Sequence, residues 1–315
     1  MKPTIFIDGR EGTTGLQIDA RLRGRTDIEQ ITISEELRKD TATRKKLINA
    51  ADLVFLCLPD QAAREAVELI ENPSTKVIDA STAHRTTAGW VYGFPELTHK
   101  RRCEITASKR VANPGCHALG FLSIVTPLIA SGAILPNEQL CCYSLTGYSG
   151  GGKAMIADYE DKNRPRALYA PRIYGLGLSH KHIPEMMAQS GLTAKPLFTP
   201  IVDDYYCGMA VTLMLHRNQY KNASGPQELC DILAEHYKNE HFVKIAPLGS
   251  EETLTQPGFI EANAHVDTNN VEILVFGDTE QTIITARLDN LGKGASGSAV
   301  QNMNLMLQLP ETAGL

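Results

Sequence analysis

Positive charge is not in excess in this sequence. Its 31 Lys and Arg residues are outnumbered by 36 Asp and Glu, for a formal net charge of −5 over 315 residues. That balance excludes the broad basic surface by which proteins bind nucleic acid or anionic membranes. Seven cysteines, an odd number, include no CxxC spacing, and no HExxH occurs. Both a disulfide framework and a structural zinc site are thereby disfavoured, and a reducing cytoplasm is the predicted compartment. No internal repeat or low-complexity stretch occurs. The N-terminal apolar run is too short for a signal peptide and is interrupted by Asp8. One long stretch, 116–136, has no Asp, Glu, Lys or Arg, but it holds His117, Gly120, Pro127 and Gly132 and lacks basic flanks. It reads as a core helix passing into a loop, not as a membrane span.

What is present is the composition of a globular protein, with 43% apolar and 21% charged residues and length enough for two ordinary domains. The first third alternates β-rich runs with helical patterns. Thr4–Asp8, Ile31–Ser34, Leu53–Leu58 and Val77–Ala80 read as strands, with helices over Thr13–Leu22 and Gln61–Ile70. Leu53–Leu58 is nearly all apolar, as a strand buried on both faces should be. The alternation predicts an α/β, doubly wound parallel sheet. After Cys116 the pattern changes to longer strand-like runs, 141–146, 210–216, 271–276 and 282–288, with one clear helix over Pro226–Tyr237. A mixed α+β domain follows from that change, and an amphipathic stretch over 295–309 closes the chain.

Four segments carry chemistry. Gly9-Arg10-Glu11-Gly12-Thr13-Thr14-Gly15 follows the first strand and opens a helix. Glycines there allow a tight turn and close approach of a pyrophosphate, whose charge the helix N-terminus binds. Beyond the second strand, Ser34, Arg38 and Lys39 suit a 2′-phosphate, while Glu35 and Glu36 suit a ribose diol, so this segment alone leaves the cofactor open. In Asn113-Pro114-Gly115-Cys116-His117 a turn leads into a helix and puts Cys116 in its first turn, where the helix dipole favours a thiolate. The other six cysteines read as small buried hydrophobes. His180-Lys181-His182-Ile183-Pro184-Glu185 offers two imidazoles and a carboxylate in what reads as a polar loop. The same residues make only a weak metal site, and none is expected.

These pieces, in this order, resemble the short-form N-acetyl-gamma-glutamyl-phosphate reductase family, relatives of the aspartate-semialdehyde dehydrogenases. The resemblance also rests on Val77–Ser81 with Arg85, Tyr92–Leu97, Gly147–Gly150 with Gly152-Lys153, Phe198–Pro200, and Asp289–Ala295 through Gln301–Asn304. It implies a Rossmann-type domain, 1–115 plus 290–315, binding NADP(H). A catalytic and oligomerisation domain, 116–289, is inserted before the C-terminal helix. It further implies reduction of an acyl phosphate to a semialdehyde, with Cys116 as nucleophile and His180 or His182 as acid/base. Asn290 is placed at the cofactor, with Gly9, Arg10, Gly12, Thr13, Thr14, Gly15, Ser34, Arg38 and Lys39. Ser81, Arg85, Asn113, Tyr174 and Glu185 are expected at the substrate, and the assembly is expected to be a homodimer or homotetramer.

Overall fold

In the computed structural model, which describes residues 2–315, the β-rich runs of the first third form one parallel sheet. Strand β1 (Thr4–Asp8) leads to α1 (Thr13–Leu22), β2 (Glu29–Ile31), α2 (Thr41–Ala50), β3 (Leu53–Leu56) and α3 (Asp60–Glu68). Then follow β4 (Lys76–Asp79), β5 (Val91–Tyr92), α4 (Arg101–Ala107) and β6 (Arg110–Ala112). The order across the sheet is β2-β1-β3-β4-β6-β5, with every pairing parallel. Both faces are covered, which is why the central strands are apolar throughout. Ile5, Ile7, Leu53 and Phe55 pack with Ile18 of α1 and with Val300 and Met303 of the last helix. Phe6, Val54 and Leu56 pack on the opposite side with Ile48 of α2 and Ala63 of α3. This is the Rossmann-type, doubly wound arrangement.

The chain up to Pro114 and Ala295–Leu315 belong to this unit, and Gly115–Gly294 forms a second. The second unit runs α5 (Cys116–Ala130), β7 (Cys141–Gly147), α6 (Gly152–Glu160), β8 (Arg172–Ile173), α7 (Ile183–Ser190), β9 (Leu197–Asp203) and β10 (Met209–His216). It continues through α8 (Pro226–Tyr237), β11 (Val243–Ile245), β12 (Val271–Gly277) and β13 (Gln281–Leu288). Its mixed sheet has the order β11-β12-β13-β10-β7-β9-β8. Residues 117–128 of α5 are all buried, as expected of a helix that is apolar all round. A Cβ on Gly120 would lie 2.5 Å from Val211 Cγ2 of β10, so the helix rests on the sheet through a glycine. Among the described residues no helix is long and apolar enough to cross a membrane. The chain ends in α9 (Gly297–Met306), every residue of which is buried, after a π-helical turn over Gly292–Ser296.

Several elements differ from the sequence expectation. The second strand covers Glu29–Ile31, not Ile31–Ser34, because it is an edge strand on which polar Glu29 and Gln30 pair with Thr4 and Ile5. Helix α2 is mostly polar and buries only Ile48, so its apolar periodicity is faint. Strand β9 alternates clearly but carries Pro200, which argues against a strand when only sequence is read. Cys103 is exposed and Cys57 and Cys141 are half-buried, so these three are not buried hydrophobes.

Candidate active site

At the end of β1 the chain turns through Gly9, whose φ of +85° suits glycine. A Cβ there would stand 2.4 Å from the Cys57 carbonyl oxygen. Gly12 donates its N–H to Gly9 O and caps α1, and Gly15 brings that helix onto the loop. The N–H groups of Thr13 and Thr14 fall in the first turn, where no carbonyl of the helix reaches them. Beside the loop lies a cavity of about 290 Å³ whose lining includes Gly9, Arg10, Glu35, Arg38 and Lys39. A glycine cradle, unsatisfied helix N–H groups and a neighbouring cavity fit the phosphates of a dinucleotide. Four cations line the cavity, and two have carboxylate partners. Arg10 pairs with Asp19 at 2.8 Å and Arg44 with Asp8 at 2.7 Å. Arg38 and Lys39 have no carboxylate partner among the described residues. Ser34 closes a turn, its carbonyl accepting from Leu37 N at 3.2 Å.

At the end of β4, Asp79 organises the following loop. Its carboxylate accepts from Ser81 N and Ser81 Oγ and meets His84 Nδ1 at 2.6 Å, and His84 stacks on Trp90. Ser81 Oγ also accepts from Ala83 N, so the hydroxyl is engaged on both sides. Arg85 is buried, donating from Nε to Asn113 O at 2.9 Å and from Nη2 to Ala80 O. Asn113 donates to Ala295 O at 2.8 Å and accepts from Asn302. These side chains fix the loop backbone that leads to Cys116, a task their sequence context did not announce.

Cys116 is the first residue of α5, with Gly115 at the cap in extended conformation. Its turn therefore presents N–H groups with no intrahelical acceptor, a setting that stabilises a thiolate or an oxyanion. Gly294 closes the other side: a Cβ on it would lie 2.8 Å from Cys116 Cβ and 3.0 Å from Asp289 O. Glu185 accepts from Gly115 N at 3.1 Å and so holds the cap of the nucleophile's helix from the first turn of α7. Three of the other thiols are poorer nucleophiles. Burial pushes those of Cys57 and Cys142 far up, and that of Cys207 up to about 12.

The His180–Glu185 segment is not the polar loop read from sequence. Ile183–Ser190 is helical, and His182 and Glu185 are buried, with His182 Nε2 4.0 Å from Glu185 Oε1. His180 Nδ1 accepts from His182 N at 3.2 Å, which leaves Nε2 to carry the hydrogen of its neutral ring. Sequence reading missed His117. It is buried between Ser144 Oγ on Nδ1 and Tyr174 OH on Nε2, each at 2.8 Å, with the His180 and His182 rings 5.3 and 5.5 Å away. Burial, with His180 and Lys181 nearby, pushes its imidazole down to about 3, so it is neutral at any working pH. A lone histidine next to a candidate nucleophile in an otherwise apolar helix was the available signal. The second unit thus brings together Cys116, His117, Tyr174, His180, His182 and Glu185. Asn290 also lies in that unit, bonded to Ser149 Oγ and Gly208 N.

Comparison with known proteins agrees with this geometry. Residues 9–105 match the semialdehyde dehydrogenase NAD binding domain, and residues 116–290 match the semialdehyde dehydrogenase dimerisation domain. The chain is 47% identical to N-acetyl-gamma-glutamyl-phosphate reductase 2 of Nostoc sp., over 100% of this chain and 99% of that one. It is 43% identical to the Pseudomonas putida protein of the same name, over 97% of each. Aspartate semialdehyde dehydrogenase II of Vibrio cholerae superposes with a TM-score of 0.74 at 15% identity, covering 98% of this chain and 99% of that one, which shows the shared fold. With its nucleotide cradle, its cysteine at a helix start and these full-length matches, the chain belongs to the N-acetyl-gamma-glutamyl-phosphate reductase family of oxidoreductases.

Proposed function

We propose that this chain reduces N-acetyl-L-glutamyl 5-phosphate to N-acetyl-L-glutamate 5-semialdehyde and phosphate, using NADPH, as a cytoplasmic step of arginine biosynthesis. The observation that carries the reading is Cys116 at the start of a buried helix, capped by Glu185 and next to the imidazole cluster. Full-length similarity to reductases named for that substrate supports it. The Cys116 sulfur adds to the acyl carbonyl, and the carbon–oxygen bond to phosphate breaks, leaving a thioester. Bound NADPH supplies the hydride that reduces this thioester. The first-turn N–H groups of α5 hold the negative oxygen, and His180 moves the proton that lets the carbon–sulfur bond break and the aldehyde leave. The phosphate falls to Arg85, in the loop that follows β4, on the edge where ligands of open α/β sheets bind. Purified protein with N-acetylglutamate semialdehyde and NADP should form NADPH only when phosphate is added. Turnover of aspartate semialdehyde instead would overturn the substrate assignment.

Arg38 and Lys39 are assigned to the 2′-phosphate, because the neighbouring Arg10 and Arg44 are held by carboxylates. Arg38→Ala should weaken NADPH by roughly 1.5–3 kcal/mol and NADH far less, the range for a charge-assisted hydrogen bond. Titration with both cofactors checks this, and equal losses would pass the role to Lys39.

The same reading includes a homodimer formed through the outer face of the second sheet. The register places Leu197, Cys141, Met214 and Ile283 in one row across β9, β7, β10 and β13, each exposed or half-buried. Apolar side chains in a continuous row call for a covering surface, and the matched region is described as a dimerisation domain. Light scattering should give twice the chain mass, and a monomer at micromolar concentration would remove this assignment.

A further inference from the structure

His117 is a buried titratable group with no part in the chemistry above, and its two partners restrict what it can be. A neutral imidazole has one N–H and one lone pair, so one of its two hydroxyl partners donates to it and the other accepts from it. Ser144 decides which. It lies on β7 with no solvent exposure, and His117 Nδ1 is the one hydrogen-bond partner of its Oγ among the described residues. If Nδ1 carried the hydrogen, the Ser144 O–H would be buried with no acceptor, a cost comparable to a lost hydrogen bond. Ser144 therefore donates to Nδ1, Nε2 carries the hydrogen, and that hydrogen goes to the phenol oxygen of Tyr174. The phenol keeps its own proton, because burial and the neighbouring Cys116 charge both push its ionisation up. With its oxygen accepting from His117, its O–H is turned away from the ring, and no protein acceptor for it stands among the described residues.

We propose that Tyr174 donates this hydrogen bond to the substrate oxygen that gains negative charge when the Cys116 sulfur adds, and that Ser144 and His117 are positioning residues that fix the direction of the donor. This rests on the acyl-phosphate reading of the site. No proton is transferred in the step: the carbonyl π electrons move onto oxygen, the carbon–sulfur bond forms, and the phenol O–H shortens its contact with that oxygen. A donor preset before substrate arrives needs no reorganisation as the charge develops.

Two measurements on the intact protein test the assignment. The ring ¹⁵N chemical shifts of His117, read without substrate, should show hydrogen on Nε2, and hydrogen on Nδ1 would overturn the relay whatever the substrate proves to be. Tyr174→Phe should lower kcat for N-acetylglutamyl phosphate by roughly 10²-fold with KM changed little, as for loss of one oxyanion donor. A higher KM at unchanged kcat would show that Tyr174 only binds. His117→Phe should also lower kcat, and adding Tyr174→Phe to it should cost no more than Tyr174→Phe alone. Multiplying losses would mean that His117 acts without Tyr174. Failure of the unaltered protein to turn over this substrate would sink the functional reading, while the tautomer measurement would still decide the relay.

Discussion

Cys116→Ser should abolish turnover and leave NADPH binding and folding nearly unchanged. A serine fits the same first turn of α5, and the glycine at 294 that makes room for Cys116 makes room for it equally. What changes is chemistry: an alcohol stays protonated near neutral pH even at a helix N-terminus, whereas a thiol there is readily ionised. Three of the other cysteines are poor substitutes. The thiols of Cys57 and Cys142 are pushed far up, and that of Cys207 is pushed up to about 12. Turnover and NADPH affinity should be measured on one preparation, together with iodoacetamide labelling located by mass spectrometry. Loss of labelling at 116 with cofactor affinity intact is the expected pair of results. Retention of most turnover by the serine variant would end the covalent mechanism.

The sequence shows most where local rules and tertiary needs coincide. Helices α1 and α8 have their observed limits in the sequence because glycine and proline mark their starts and apolar periodicity runs through them. Cys116 is legible for a similar reason: Asn-Pro-Gly can hardly continue a helix, so the next residue begins one. Function is harder to read where buried polar groups do structural work. Ser81 and Asn113 are short polar residues at a sheet edge, which from sequence suits them to substrate. In the fold their hydrogen bonds go to Asp79, Ala83, Ala295 and Asn302. Helix α7 is hidden by its first turn, because His182 and Glu185 look solvent-facing until the fold shows both buried and Glu185 bonded to the cap of α5. His117 fails for the opposite reason. It sits in an apolar run, and only the fold supplies Ser144 and Tyr174, 27 and 57 residues away, as its partners.

His180→Asn should lower the turnover rate by roughly 10²–10⁴-fold, the usual range for losing general acid–base help. Three imidazoles crowd this region, and burial separates their roles. His117, held near 3, stays neutral across the working range and cannot give a titration near neutrality. His182 is buried with its Nε2 facing Glu185, a placement suited to orienting the helix start more than to meeting substrate. His180 is only partly buried, and the His182 N–H on its Nδ1 directs the proton-bearing nitrogen, Nε2, away from the loop backbone. Asparagine is the informative replacement. Its Oδ1 can accept from His182 N as Nδ1 does, so the loop keeps its shape while the exchangeable proton is lost. The variant should also lose the limb of the pH–rate profile that an imidazole gives near neutrality. His182→Asn, measured beside it, should retain that limb. If the limb instead disappears with His182 and survives in His180→Asn, the proton passes through His182 and the bond to His180 serves only to shape the loop. If both variants keep it, the proton leaves through water or the departing phosphate, and neither imidazole is the acid.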